Sequence, residues 1–355
     1  MKRNLAWTMK SAFTAHAHSA FPISVFFRSV FFLALFCLSG LTACHHVPMR
    51  RPVSVAPPVP AEILERLTPK QPGRDLTLEH LSDEDGYRRL KFRFQSGSAE
   101  HPIVEGEYYQ VTTATPDSPA PLVQVAPILG GALDDYLLTR VFASWAAQEG
   151  CSSFFVYQEE IVLQPERGGA SLERVLRRTT IENVQALELF ASRPEADATR
   201  LGCFGVSMGA IRNVLLLAVE PRLRGGILLL GGADLARIVR HSHEPLVLDY
   251  LEGRARLGMS RDEVVADLSA QIVSDPIHVA RYVGPERVLM VLGSLDNKVP
   301  YPAGLALHAE LGFPELHVYP LGHYTGILAA PSAARLGFEW LRGRFASLSA
   351  SERVE

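Results

Sequence analysis

Ser207 lies in Gly205-Val206-Ser207-Met208-Gly209, a G-x-S-x-G pattern between two apolar runs, 200–206 and 208–219. On a sharp turn from strand to helix a serine projects its hydroxyl, and small neighbours relieve the crowding there. The helix that follows aims its amide-rich end at any negative charge that develops. A serine hydroxyl still needs a base to take its proton. Gly322-His323-Tyr324, after the apolar run 316–319, offers His323. The imidazole in turn needs an acid to hold its tautomer. Asp296, in Gly293-Ser294-Leu295-Asp296-Asn297-Lys298-Val299-Pro300, stands after the run 288–292. His317 is the rival base and Asp234, after Gly231-Gly232, the rival acid. Ser207, Asp296 and His323 together have the chemistry of nucleophilic acyl transfer.

The elements that must position them alternate between strand and helix. Residues 89–95 (RLKFRFQ) and 104–112 (VEGEYYQVT) alternate polar with apolar, as half-buried antiparallel strands do. Apolar strands are expected at 122–128, 153–157, 200–206, 227–230, 288–292 and 316–319. Helical spacing falls at 134–148, 171–192, 208–219, 303–311 and 333–345. Asp134 and Asp135 suit the start and cap of the first of these. The alternation predicts an α/β sheet that is mostly parallel. Residues 235–283 interrupt it with a charged, helical stretch that holds a capping-box pattern, Ser260-Arg261-Asp262-Glu263. An insertion there is placed to cap the site.

The elbow, the G-x-x-D-x-x-V-P turn and the G-H turn, in the chain order Ser207, Asp296, His323, resemble those of α/β-hydrolase fold enzymes over roughly 85–345. The resemblance implies a mostly parallel eight-stranded sheet flanked by helices, with its second strand antiparallel and a small helical cap at 235–283. It also implies an oxyanion hole of two backbone amides. One is that of Met208. The other comes from Pro127-Ile128-Leu129-Gly130-Gly131, where Pro127 replaces the family's common histidine. Alignment there selects Leu129, with Gly130 as rival. The implied activity is a serine hydrolase that cleaves carboxylic esters, with no metal and no organic cofactor. A peptidase, thioesterase or acyltransferase would use the same triad. An inactive binding lipoprotein of the cell envelope would use only the fold.

The chain has 355 residues and a formal net charge of −3. Residues 1–43 hold basic residues and no acidic ones, so the rest is more acidic still. That balance argues against nucleic acid as a partner. The apolar run 30–41 has the length of a secretory h-region. Leu41-Thr42-Ala43-Cys44 resembles a bacterial lipobox, which implies a lipoprotein signal peptide at 1–43 and lipidation at Cys44. An uncleaved anchor over 21–41 is the alternative. With His45 rather than Asp after the cysteine, the resemblance favours the outer membrane, facing the periplasm. The partners expected are that membrane and a small-molecule or lipid ester. Residues 44–84 are expected as a tether, extended where proline-rich at 47–60, and 346–355 as a tail. His45-His46 reads as the polar start of the tether, since a lipidated cysteine has no thiolate to offer a metal. Cys151 and Cys203 are expected as buried free thiols.

Overall fold

The computed structural model describes residues 44–49, 56–130, 136–158 and 162–351. The expected signal segment, Gly131, Asp134 and Asp135 lie outside the described residues.

The body is built on one ten-stranded sheet. Its strands are β1 His45–Val47, β2 Arg74–Glu84, β3 Tyr87–Gln95, β4 Ile103–Val111, β5 Ala120–Ala126, β6 Ser152–Val156, β7 Ala196–Val206, β8 Leu223–Leu229, β9 Val288–Gly293 and β10 Glu315–Tyr319. Their spatial order is β1-β10-β9-β8-β7-β5-β6-β4-β3-β2. Strands β5 to β10 pair in parallel, and β4 runs antiparallel to both neighbours, β3 and β6. Strands β3 to β10 therefore reproduce the eight-stranded arrangement that the resemblance implies, and β1 and β2 add one strand at each edge. The middle strands are largely apolar because both of their faces are covered. Every residue of β6 and of β9 is buried.

The helices are α1 Ala61–Leu67, α2 Leu137–Gln148, α3 Gly169–Ala191, α4 Met208–Val219, α5 Leu235–His241, α6 Pro245–Arg256, α7 Arg261–Gln271, α8 Pro276–Val279, α9 Tyr301–Glu310 and α10 Ala330–Ser351. One face of the sheet packs α3 and α4, through residues such as Leu176, Phe190 and Leu215. The other packs α2 and α10, through Phe142, Phe338 and Leu341. The insertion at 235–283 folds as α5 to α8 and a short 3-10 turn. Its capping box forms: Ser260 Oγ accepts from the Glu263 amide, and the Glu263 carboxylate accepts from the Ser260 amide over 2.7 Å.

Two boundaries differ from expectation. The segment 44–84 is not only a tether, since β1, α1 and β2 all join the body and Leu67 is fully buried. Strand β2 escapes the alternation test because its pairing with β3 slips twice, between Arg74 and Thr77 and between His80 and Ser82. Each slip moves side chains to the opposite face, which breaks the period of two. The expected tail from 346 begins inside α10.

Glu107, on β4, is buried under this frame. It accepts from Arg89 Nε at 2.7 Å, Arg140 Nη2 at 2.8 Å, Tyr109 at 3.0 Å and Tyr157 at 2.9 Å. These bonds tie β3, β4 and α2 around one carboxylate. Cys151 and Cys203 are free and buried, and burial pushes both thiols up to about 12. Among the described residues, no helix is long and apolar enough to cross a membrane.

Candidate active site

Strand β7 delivers Ser207 into a left-handed conformation, φ 56° and ψ −123°, before α4 begins. Only tight packing holds a non-glycine residue there. The two glycines make that packing possible. A Cβ on Gly205 would stand 2.4 Å from the Gly209 carbonyl carbon, and one on Gly209 would stand 2.3 Å from the Ala126 carbonyl oxygen. The Ser207 amide donates to the Leu229 carbonyl at 2.8 Å, which fixes the turn to the end of β8.

Asp296 follows β9 and is buried. One of its oxygens accepts from the amides of Lys298 at 2.9 Å and Val299 at 3.1 Å. The other lies 2.7 Å from His323 Nδ1. An ionised carboxylate only accepts, so Nδ1 carries the proton and donates. That leaves Nε2 of the neutral ring to accept from the Ser207 hydroxyl, 3.0 Å away. The two loops are fastened to each other: the amides of Ser294 and Leu295 donate to the carbonyls of Tyr319 and Leu321 at 2.9 and 3.1 Å. Three residues from three strand ends thus meet in one hydrogen-bonded line.

The rivals stand elsewhere. Asp234 caps α5, where its carboxylate accepts from the Arg237 amide at 3.1 Å. His317 points into the β1 edge of the sheet, where its ring stacks on His46. Met208 and Leu129 both border the cavity that Ser207 faces, at the start of α4 and just after β5. Gly130 adopts φ 71° and continues that loop.

The cavity measures about 390 Å³. Aliphatic side chains line most of it, among them Leu129, Leu163, Leu172, Ile211, Ile238 and Val247. Ile238 and Val247 come from the inserted helices, so the insertion does cover the site. Its hold on the triad loops is polar. Ser242 Oγ donates to the Lys298 carbonyl at 2.6 Å, and the His243 amide to the Asn297 carbonyl at 2.8 Å. The Tyr324 hydroxyl donates to Glu244 at 2.7 Å, and Lys298 lies 5.2 Å from the centre of the Tyr324 ring. Burial and the Glu244 carboxylate push the Tyr324 phenol up to about 12, so it stays a donor.

Sequence reasoning missed three residues here. Glu244 reaches the cavity because the insertion folds back over the acid turn, and Lys298 lines it from that turn itself. Asp275 is buried, and burial raises its carboxyl above the usual range. It accepts from the amides of Asp234 at 3.1 Å, Leu235 at 2.5 Å and Ile277 at 2.9 Å, which anchors α5 and α8 to the end of β8. Its Asp-Pro context marks a helix start and nothing more.

No protein-family profile and no curated protein matches the chain. Solved structures do. Acetyl xylan esterase 1 from Thermoanaerobacterium sp. JW/SL YS485 is 18% identical, with a TM-score of 0.55 over 79% of this chain and 95% of its own. An acetyl xylan esterase from Paenibacillus sp. R4 is 17% identical, with a TM-score of 0.56 over 79% and 99%. The alpha/beta hydrolase GrgF from Penicillium sp. sh18 is 13% identical, with a TM-score of 0.50 over 77% and 100%. At such identities the likeness is one of fold, and with the strand order above it establishes that the chain has the α/β-hydrolase fold.

Proposed function

We propose that the chain is a serine hydrolase that cleaves carboxylic esters through an acyl-enzyme. The observation that carries this reading is the line from Asp296 through His323 to Ser207, with contacts of 2.7 and 3.0 Å, opening onto an apolar cavity. Ser207 Oγ attacks the ester carbonyl as its proton passes to His323 Nε2. Asp296 holds the imidazole in the accepting tautomer and stabilises the imidazolium that forms. The oxyanion sits against the amides of Leu129 and Met208, at the positive end of α4. When the C–O bond breaks, His323 returns the proton to the departing alkoxide, which leaves as an alcohol. Water then attacks the acyl carbon and passes a proton to His323, the acid departs, and Ser207 recovers its hydrogen.

The aliphatic lining suits an acyl chain, and Glu244, Lys298 and Tyr324 at the polar side suit the alcohol. Two structural neighbours are named acetyl xylan esterases, which is in keeping with an ester substrate. The same proposal includes lipidation of Cys44 after removal of 1–43, supported by the lipobox alone. The enzyme would then be held on the outer membrane of a bacterial envelope, facing the periplasm.

A fluorophosphonate probe tests the chemistry. Labelling of the parent, and none of Ser207→Ala, is expected, together with turnover of p-nitrophenyl esters. A folded parent that neither labels nor turns over esters refutes the proposal and favours a binding role on the same fold.

A further inference from the structure

Strand β1 is only three residues long, yet it carries a cluster that the reaction does not use. His46 pairs directly with His317 across the β1–β10 ladder. Their rings stack with centroids 4.5 Å apart and planes 25° from parallel. Glu315 stands two residues before His317, so the period of two puts both side chains on one face of β10. Nε2 of His46 lies 3.2 Å from Glu315 Oε1, and Nε2 of His317 lies 3.1 Å from the same oxygen. All three candidate ligand atoms fall within 4.8 Å of one another.

We infer that His46, Glu315 and His317 form a zinc site that clasps β1 to the edge of the sheet. Bonds of about 2.0–2.1 Å in a tetrahedron separate neighbouring ligand atoms by roughly 3.3 Å. The two nitrogen-to-oxygen distances already have that spacing. Two imidazoles and one carboxylate select zinc over calcium or magnesium, which prefer oxygen alone. Three protein ligands leave a fourth position for water. His46 is half exposed and His317 nearly buried, so an ion can enter from the solvent side.

The arrangement around the ligands fits the same use. Without metal, Glu315 accepts a proton-bearing Nε2 from each ring. With zinc on Nε2, each neutral ring keeps its one hydrogen on Nδ1. For His317 that nitrogen faces Cys44 Sγ, 3.7 Å away, a sulfur that accepts weakly as a thiol or as a thioether. A neighbour on the far nitrogen commonly fixes a ligand's tautomer. The site therefore needs no thiolate, and lipidation of Cys44 leaves its ligands intact. Glu315 begins β10, whereas His323 follows that strand's other end, so the zinc would act on the N-terminal segment rather than on the ester.

The full chain, stripped of metal with a chelator and dialysed against Zn²⁺, tests this. One zinc per chain is expected, with a rise in melting temperature. Cobalt in its place should give the visible absorption of a four-coordinate site. His46→Ala, at an exposed position where folding is safe, and Glu315→Gln should each lose the bound metal and the rise in melting temperature. Absence of stoichiometric zinc, or zinc retained by either variant, overturns the inference.

Discussion

Tyr324 is the residue after the proposed base, and its hydroxyl reaches Glu244 of the inserted segment over 2.7 Å. One bond thus joins the loop that carries His323 to the cover of the cavity. Tyr324 is only partly covered and Glu244 half-buried, so the bond adds little to global stability. We expect its effect to be on how the cover sits. For Tyr324→Phe we expect a KM for long-chain esters that shifts by roughly fivefold, the equivalent of about 1 kcal/mol for one hydrogen bond. Steady-state kinetics over a series of acyl lengths would measure it. An unchanged KM across the series would show that the bond does not hold the cover.

The two aspartates after β8 and β9 are told apart by conservative substitution. Asp296→Asn keeps an oxygen for the Lys298 and Val299 amides but can turn an NH2 toward His323. The imidazole would then carry its proton on the wrong nitrogen. We expect kcat to fall by about 10⁴, with folding retained. Asp234→Asn still caps α5 and should retain full turnover. Equal losses in the two variants would contradict the assignment of the acid.

Gly209 tests the elbow as a piece of packing. A methyl group there would meet the Ala126 carbonyl oxygen at 2.3 Å, and backbone cannot swing aside. Gly209→Ala should cost about 1–3 kcal/mol in urea unfolding, in the range of overpacked cores. It should also displace Ser207 from His323, so esterase activity should fall by more than the loss of folded protein. Wild-type stability would mean that β5 and α4 can separate.

Glu107 makes acid sensitivity a readout of the junction between β3, β4 and α2. Burial pushes its carboxyl up, but the bonds from Arg89 and Arg140 outweigh burial and hold it below the ordinary value of 4.5. A carboxylate depressed on folding contributes stability that is present above its unfolded pKa and is lost as pH falls through the folded one. Glu107→Gln leaves two arginines without their shared counter-charge, and should cost about 3–5 kcal/mol at neutral pH. The gap between parent and variant in melting temperature should narrow as pH drops below the ordinary carboxylate value. A gap that stays constant down to acid unfolding would contradict the electrostatic origin.

The proposed lipidation of Cys44 has its own test. Expressed as the full chain in a bacterium, the protein should sediment with membranes and take up labelled fatty acid. Cys44→Ala should abolish the label. Acylation that persists in the variant would place the lipid elsewhere, and sedimentation without label in both would favour an uncleaved anchor.

Much of this was legible in one dimension because the chemistry is written in short local patterns. The elbow glycines, the acid turn and the G-H turn each sit where an apolar run ends, and strand ends of a parallel sheet lie together. That placed Ser207, His323 and two candidate acids, Asp296 and Asp234, at strand ends of one sheet. The strand-helix alternation and the capping box at Ser260 were legible too, since both depend on neighbours within a few residues. What tertiary structure decided was pairing between distant segments. No local pattern could tell Asp296 from Asp234, because the choice depends on which loop the His323 ring reaches. Strand β2 lost its period to two slips in register, and β1 is too short to carry any period. Residues 44–84 therefore read as a tether although three of their segments fold into the body. His46 and His317 are 271 positions apart, and only the antiparallel ladder of β1 on β10 sets them ring against ring beside Glu315.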